Sequence, residues 1–221
     1  MNQVLPCVEI EPEGEPQGSI VWLHGLGASG HDFEDIVPML ELPAVRFVFP
    51  HAPEKPVTIN AGLIMPAWYD ITSLTSARGE SERHVRESAA LVRTLIEREA
   101  ERGVPASRVI LAGFSQGAGM ALYVGPRYPE GLLGILVLSG YEVLASTREA
   151  EASPANAATP ILFCHGTQDP LVPAAAGRRA YETYAPGRAA EWHTFPIAHQ
   201  VSLEEIHVVR DWLRARFTTL T

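Results

Sequence analysis

The amino-acid sequence predicts a single α/β domain in which a mostly parallel sheet has helices on both faces. Apolar, β-branched runs alternate along the chain with segments of helical periodicity, and several of these runs are apolar at successive positions. Such strands are typical of a parallel sheet buried between two helical layers and joined by right-handed crossovers. With 221 residues, 46% of them hydrophobic, the chain can form one sizeable core, so we expect one domain over residues 1–221.

The predicted strands are the runs richest in Val, Ile, Leu and aromatic residues. They cover residues 4–10, 20–23, 45–49, 109–112, 133–138, 161–164 and 191–195. An antiparallel pairing of the first two strands, in contrast to the rest of the sheet, is an alternative to a parallel one. Residues 11–18 between them are rich in Glu, Pro and Gly, which predicts a turn rather than a domain linker.

The predicted helices fall between these strands. The clearest covers residues 85–100, where apolar residues recur at spacings of three and four before Gly103, a natural helix end. Its apolar positions are Val85, Ala89, Val92, Leu95, Ile96 and Ala100. Further helices are expected over residues 115–128, 174–184 and 203–217.

Residues 50–82 carry little helical periodicity and are too many for an ordinary connection. We expect a partly structured loop that arches over a site. The alternative is a variable surface excursion.

The charge balance argues against a nucleic-acid partner. Lys and Arg total 17 and Asp and Glu total 26, which gives a net charge of −9. No block of basic residues is available to neutralise a run of phosphates.

The sequence also predicts a cytoplasmic protein without a membrane span. The N-terminus lacks a basic segment followed by an apolar one, and the densest apolar stretch, residues 132–138, is far shorter than the roughly 20 residues that a spanning helix needs. Cys7 and Cys164 lie in predicted strands outside any CxxC pair, so we expect free thiols in a reducing compartment.

A candidate nucleophile follows the strand at residues 109–112. The next residues read Gly-Phe-Ser-Gln-Gly at 113–117, and a run of small and apolar residues comes after them. A G-x-S-x-G motif between a strand and a helix forms a strained turn that thrusts the serine hydroxyl outward. Ser115 is therefore predicted to be a nucleophile, with the helix dipole directed at developing negative charge.

The base that activates this serine is predicted to be His199. In this type of site the partners follow in the order serine, acid, histidine. His199 lies in a loop directly after the predicted strand at 191–195, whereas His193 lies inside that strand and His207 inside the last helix. A loop position suits a side chain that must reach the serine.

The acid is predicted to be Asp169, in the turn after the strand at 161–164. Its role would be to orient the His199 ring and to stabilise the imidazolium. Two alternatives remain: Asp169 simply stabilises a turn before a proline, or Glu142, after the preceding strand, is the acid.

Two backbone N–H groups are predicted to form an oxyanion hole. One belongs to Gln116, the residue after the nucleophile, and the other to Leu26 in the glycine-bearing loop after the strand at 20–23. His24, His51 and His165 each end a strand, but their spacing matches no metal-binding motif. The predicted reaction needs no metal and no cofactor.

Together these motifs resemble the carboxylesterase and acyl-protein thioesterase family, also called the phospholipase/carboxylesterase family, of the α/β-hydrolase fold. The resemblance covers nearly all of residues 19–217. The matching stretches are LHGLG at 23–27, MPAWYDI at 65–71, GFSQG at 113–117, LSGY at 138–141, HQV at 199–201 and EEI at 204–206.

The resemblance implies the same roles for Ser115, Asp169 and His199, and for Leu26 and Gln116. It further implies a small-molecule acyl ester as substrate, a monomer or homodimer, and an acyl groove. Implied groove residues are Leu63, Met65, Trp68, Leu74, Leu171 and Val172.

The sequence therefore predicts a serine carboxylesterase for short to medium acyl esters that reacts through an acyl-enzyme. The alternative within the enzyme class is an acyl-protein thioesterase or a lysophospholipase. A second class of function, a non-catalytic binding module on the same fold, stays open because a fold does not fix a function.

Overall fold

In the computed structural model, which describes residues 4–72 and 79–218, strands and helices alternate along the chain. The strands are β1 Cys7–Ile10, β2 Gly18–Leu23, β3 Val45–Pro50, β4 Glu54–Val57, β5 Leu63–Pro66, β6 Val109–Phe114, β7 Gly134–Leu138, β8 Ile161–Gly166 and β9 Ala190–Phe195. The helices are α1 Val37–Leu40, α2 Glu82–Glu101, α3 Gln116–Val124, α4 Arg148–Glu151, α5 Ala174–Tyr184 and α6 Leu203–Thr218. Every run that the sequence predicted to be a strand forms one.

A seven-stranded sheet has the order β1-β3-β2-β6-β7-β8-β9. All neighbours pair parallel except β1, which runs antiparallel to β3 with Cys7 opposite Pro50. The expectation of an antiparallel opening pair was thus wrong about the partner. Because β2 pairs with β3 on one side and β6 on the other, β1 can join the sheet only at its edge.

Each face of the sheet carries its own apolar layer. One layer includes Val92 of α2, Met120 of α3 and Ala180 of α5. The other includes Leu40 of α1 and Leu213 of α6. Helices therefore cover both faces, as predicted, and successive residues of the central strands are buried on opposite sides.

The last turn of α2 differs from the predicted apolar face. Ala100 is exposed, and Glu99 is fully buried instead. The Glu99 carboxylate accepts hydrogen bonds from Arg46 at 2.8 Å and from Arg102 at 2.9 Å. A buried charge is tolerated when it is paired and hydrogen-bonded in this way.

The described parts of this segment, residues 50–72 and 79–82, are a structured excursion, as expected. β4 and β5 make an antiparallel hairpin, and the chain then turns inward so that Ala67, Trp68 and Tyr69 are fully buried. An isolated bridge joins Ile71 to Glu80. The hairpin thus lies at the surface, whereas residues 67–69 pack into the molecule.

Short helical segments were not predicted from the sequence. A 3₁₀ helix, Gly30–Ile36, leads into α1, and α4 has only 4 residues. Elements this short show no readable periodicity. Helix α3 ends at Val124, earlier than predicted, because a 3₁₀ turn containing Pro126 follows it.

Among the helices of residues 4–72 and 79–218, none is long and apolar enough to cross a membrane. Cys164 is buried, Cys7 is half-buried, and both have free thiols.

Candidate active site

Ser115 occupies the strained turn between β6 and α3. Its backbone has φ 55° and ψ −117°, a conformation that residues other than glycine rarely adopt. The strand ends at Phe114 and the helix begins at Gln116, so the serine lies alone between two regular elements. This is the geometry that a G-x-S-x-G motif predicts.

The flanking glycines permit this turn because the backbones around it approach very closely. A Cβ on Gly113 would lie 2.3 Å from the Gly117 carbonyl, and a Cβ on Gly117 would lie 2.2 Å from the Leu23 carbonyl oxygen. Any side chain at these positions would push the start of α3 away from β2 and β6. The two glycines therefore hold Ser115 at the end of the sheet.

Three side chains from separate loops meet at this point. The Ser115 Oγ lies 2.8 Å from the His199 Nε2, and the His199 Nδ1 lies 2.6 Å from the Asp169 Oδ2. Asp169 comes from the loop after β8 and His199 from the loop after β9. The sequence proposed these three residues, and the structure brings all three together.

The Asp169 carboxylate is fully buried and held in one direction. Its Oδ1 accepts hydrogen bonds from the backbone N–H groups of Leu171 at 2.9 Å and Val172 at 2.8 Å. The His165 Nε2 donates to the Val172 carbonyl oxygen at 2.8 Å and lies 3.7 Å from the Asp169 Oδ2. Oδ1 is thus engaged by the backbone, which leaves Oδ2 for His199.

The rival residues are engaged elsewhere. The Glu142 carboxylate accepts from Arg148 at 2.6 Å and from Tyr184 at 3.2 Å. His193 lies in β9, with its ring directed to an acidic neighbour on the same strand, and His207 is exposed on α6. The structure does not bring any of these three to Ser115.

The two predicted oxyanion donors also lie at this site. Gly25 of the loop after β2 packs against the turn, since a Cβ there would lie 3.5 Å from the Ser115 Cβ. Leu26 and Gln116 line the same cavity as Ser115. Within the part of the chain that the structure describes, no hydrogen bond engages the backbone N–H of Leu26 or Gln116. Both donors are therefore available to a ligand.

Ser115 and His199 open into a cavity of about 590 Å³, a size within the range of roughly 300–1,000 Å³ typical of small-molecule sites. Most of its wall is apolar. The apolar lining residues include Phe33, Ile36, Ile59, Ile71, Leu171, Val172, Val201 and Ile206. Such a wall suits a hydrocarbon chain.

Of the residues proposed for an acyl groove, Leu171 and Val172 line this cavity. The structure does not place Leu63, Met65 or Trp68 in its wall. Leu63 is 63% exposed near the end of the hairpin, and the Met65 sulfur packs over the loop after β2. Trp68 is fully buried, so no surface remains for a ligand.

The proposed groove residue Leu74 lies outside the described residues. Most of the wall residues that the sequence did not predict come from three places: the 3₁₀ helix after the oxyanion loop, residues 59–71 of the excursion, and the residues around the start of α6. Only the second of these carried a signal, because its length already indicated a functional loop.

An aromatic ring packs against His199, and a buried carboxylate lies on α6 beside the cavity residue Ile206. The Phe114 ring packs on the imidazole with 4.9 Å between ring centroids. On α6, burial raises the pKa of Glu205 to about 7, against a smaller lowering by the nearby Ser202 backbone N–H.

Within residues 4–72 and 79–218, no cluster of three His, Cys, Asp or Glu side chains is placed to hold a metal ion.

A serine on a strand-to-helix turn, in a mostly parallel sheet with helices on both faces, defines the α/β-hydrolase class. The sequence profile of the phospholipase/carboxylesterase family matches residues 6–217. The chain belongs to that family, and it is a hydrolase.

The relatives include proteins named as thioesterases. Acyl-protein thioesterase 1 of Schizosaccharomyces pombe is 38% identical over 174 residues, which cover 78% of each chain. Acyl-protein thioesterase 1 of Neurospora crassa is 35% identical over 212 residues, covering 90% of this chain and 86% of the relative. The crystal structure of Zea mays acyl-protein thioesterase 2 superposes with a TM-score of 0.85 at 30% identity, covering 96% of this chain and 99% of the other.

Proposed function

We propose that this protein is a serine hydrolase that cleaves acyl thioesters, with Ser115 as nucleophile, His199 as general base and Asp169 as the acid. The observation that carries the proposal is the continuous chain of hydrogen bonds from Ser115 Oγ through His199 to Asp169, at 2.8 and 2.6 Å. Ser115 and His199, the first two residues of this hydrogen-bonded series, line an apolar cavity. Three intact, hydrogen-bonded residues of these types favour an enzyme over a non-catalytic binding module.

In the first half of the reaction His199 Nε2 takes the proton of Ser115 Oγ as the oxygen attacks the acyl carbonyl carbon. The carbonyl oxygen becomes an oxyanion, which accepts hydrogen bonds from the N–H groups of Leu26 and Gln116. Collapse of this intermediate breaks the carbon–sulfur bond, and the imidazolium returns the proton to the leaving thiolate. Asp169 stabilises the imidazolium during its lifetime.

In the second half a water molecule attacks the ester formed on Ser115. His199 accepts the proton of this water and then gives it to Ser115 Oγ, so the free enzyme is restored and a carboxylic acid leaves. The acyl chain lies along the apolar wall that includes Ile59, Ile71 and Val201.

We prefer the thioester to the oxygen ester as substrate because relatives at 32–38% identity are named acyl-protein thioesterases, whereas the geometry of the nucleophile fits both substrates. Hydrolysis of short to medium oxygen esters by the same residues is the second candidate. It is supported by the family, whose description includes carboxylesterases.

A matched substrate panel separates these candidates. One acyl chain is presented as a thioester, an oxygen ester and a lysophospholipid, and each kcat/KM is divided by the hydroxide-catalysed rate of that substrate. We expect the thioester to give the highest ratio, and a higher ratio for either other substrate would replace the thioesterase proposal. Ser115→Ala should remove turnover of every substrate.

The control for this variant is Ser139→Ala. Ser139 is also a buried serine with positive φ (48°) after a strand of the same sheet, and within the described residues its hydroxyl has no hydrogen-bond partner. We expect Ser139→Ala to keep turnover within about threefold of the unchanged protein, because the Ser139 side chain does not line the cavity and its hydroxyl forms no hydrogen bond in the described residues. Turnover retained in Ser115→Ala would rule out the proposed nucleophile.

A further inference from the structure

The segment formed by residues 66–69 contacts both loops that carry the candidate oxyanion donors. It begins at Pro66, the last residue of β5, and its Trp68 and Tyr69 are fully buried. The resemblance of the sequence to the family implies only that Trp68 lines an acyl groove. In the structure its side chain lies behind the oxyanion loop and not in the cavity wall. The contacts of this segment indicate a different role.

On one side the 66–69 segment binds the loop that contains Leu26. The Trp68 indole Nε1–H donates to the His24 carbonyl oxygen at 2.8 Å. The Gly27 backbone N–H donates to the Pro66 carbonyl oxygen at 2.8 Å. These two hydrogen bonds lie on either side of Leu26 in the chain and therefore fix the direction of its N–H.

On the other side the segment binds the Gln116 side chain, which is 2% exposed. Its Oε1 accepts from the Trp68 N–H at 2.8 Å, and its Nε2 donates to the Tyr69 carbonyl oxygen at 2.7 Å. Both ends of the amide meet complementary backbone groups, so only one orientation of the amide satisfies the pair. The first residue of α3 is thereby tied to the same segment as the Leu26 loop.

The segment itself is anchored to the body of the protein. The Ala67 N–H donates to the Pro53 carbonyl oxygen at 3.0 Å. The Trp68 carbonyl oxygen accepts from the Ser88 hydroxyl on α2. The 66–69 segment is thus a fixed support rather than a loop that follows its neighbours.

The His24 ring holds the Leu26 loop from a second direction. Its Nδ1 is 2.7 Å from the Gly25 carbonyl oxygen, and its Nε2 accepts from the Ala52 N–H at 3.0 Å. Burial lowers the pKa of His24, which favours the neutral ring that this pair of hydrogen bonds requires. The ring also packs beside the Trp68 indole, 5.4 Å between centroids.

We infer that the Trp68 indole and the Gln116 side chain are positioning groups that align the N–H donors of Leu26 and Gln116 through the 66–69 segment. The two donors lie on different loops, and an oxyanion hole is effective only when both point at one oxygen before the reaction begins. One support that binds both loops provides this alignment. The inference rests on the function proposed above.

Two substitutions test it without removing either donor. Gln116→Ala keeps the backbone N–H of residue 116 and deletes both side-chain hydrogen bonds. Trp68→Phe keeps a buried ring and deletes the hydrogen bond to His24. Each should lower kcat about 10- to 100-fold, less than the roughly 100- to 1,000-fold loss caused by removal of a donor itself. KM should stay within about twofold.

Inhibitor binding distinguishes alignment from general damage. A trifluoromethyl ketone that carries the acyl chain forms a tetrahedral oxyanion on the serine, whereas the thioether analogue of the substrate forms none. In both variants the Ki of the ketone should rise by about the factor lost in kcat, and the Ki of the thioether should be unchanged. The double variant should lose less than the product of the two single losses, because both act through one segment.

The control is Trp212→Phe on α6. Trp212 is also a buried tryptophan, and its indole N–H has no hydrogen-bond partner in the described residues. It lies in the apolar layer that also contains Leu213. Its replacement should leave kcat and both Ki values within about twofold, since surrounding apolar packing is largely kept.

Two results from the variants would overturn the inference. Wild-type kcat in both variants would do so, and so would a parallel loss of affinity for ketone and thioether in folded variants. If Trp68→Phe does not fold, Gln116→Ala decides the question, and Gln116→Met, which keeps the side-chain volume, decides it if Gln116→Ala also fails. An unchanged protein that the ketone does not inhibit would overturn the proposed function as well, whereas an inhibited protein with fully active variants would overturn only this inference.

Discussion

The Asp169 carboxylate has its two oxygens committed to different partners. Oδ1 accepts from two backbone N–H groups, and Oδ2 faces His199 at 2.6 Å. An ionised carboxylate accepts on both oxygens, whereas an amide has an acceptor on one side and a donor on the other. An asparagine at this position must therefore turn its NH₂ either towards the backbone donors or towards the ring of His199.

Asp169→Asn should lower kcat about 1,000- to 10,000-fold for this reason, because the histidine is then held in the wrong tautomer or loses its partner. The N–H groups of Leu171 and Val172 hold the amide oxygen, so the NH₂ faces the His199 Nδ1 and fixes the wrong tautomer. Steady-state kinetics on one thioester substrate measure the loss. Circular dichroism should show that the fold is kept.

Glu142→Gln is the matched control, since Glu142 is the other acid that the sequence offers. Its partners are Arg148 and Tyr184, so we expect kcat to change by less than about threefold. The reverse pattern, with a large loss in Glu142→Gln and a small one in Asp169→Asn, would assign the acid to Glu142.

The positions of Ser115, Asp169 and His199 could be predicted because each lies where a strand ends, and the carboxyl ends of parallel strands meet at one edge of the sheet. The orientation of Trp68 could not. It lies in a segment of irregular backbone, where no periodicity indicates which way a side chain points. Only the folded contacts with His24 and Gln116 show that it lies behind the loop.

At the scale of elements, the start of α6 combines a local capping pattern with an unusual burial. The Glu205 N–H donates to the Ser202 Oγ at 3.2 Å, which matches the Ser-x-x-Glu arrangement of a capping box. The Glu205 side chain, however, is fully buried, and no donor in the described residues forms a hydrogen bond with its carboxylate oxygens. Its neighbour Ile206 lines the cavity.

This burial predicts a pH-dependent contribution to stability. Burial raises the pKa of Glu205 from 4.5 to about 7, so between these pH values the folded state holds a proton that the unfolded state has lost. The contribution is full below about pH 4.5 and is lost as the pH rises through about 7. Its size is about 3 kcal/mol.

Glu205→Gln removes this titration and keeps the shape of the protonated acid. Urea titrations between pH 4 and 8.5 give the free energy of unfolding of the variant and of the unchanged protein. As the pH rises over this range, the variant should become more stable relative to the unchanged protein by about 3 kcal/mol. The difference between the two proteins cancels the other titrating groups. A difference that stays constant with pH would show that Glu205 is ionised in the folded state.

For the whole molecule, the parallel sheet and its two covered faces followed from the apolar runs, because strands buried on both sides leave that pattern in the sequence. The β4–β5 hairpin did not. Its residues 54–57 and 63–66 are mostly exposed or half-buried, so no burial pattern indicates them. The edge strand β1 was recognised as a strand, but its pairing depends on the path of β3, which local sequence does not encode.

The sheet also explains why residues far apart in the chain form one site. β6, β7, β8 and β9 are consecutive parallel neighbours, so the loops after β6, β8 and β9 open at the same edge. The single domain over residues 1–221 and the monomer or homodimer remain predictions. They do not affect the chemistry proposed for Ser115.

The most direct test of the account is to trap the acyl-enzyme. Saturating acyl thioester is mixed with the protein, the reaction is stopped with acid within milliseconds, and the tryptic peptides are analysed by mass spectrometry. The peptide of residues 109–127 contains Ser115 as its only serine. We predict that this peptide carries the mass of the acyl group at Ser115, at up to one equivalent per protein, and that Ser115→Ala gains none and releases no thiol. An acyl group on another residue, or thiol release that persists in Ser115→Ala, would contradict the account.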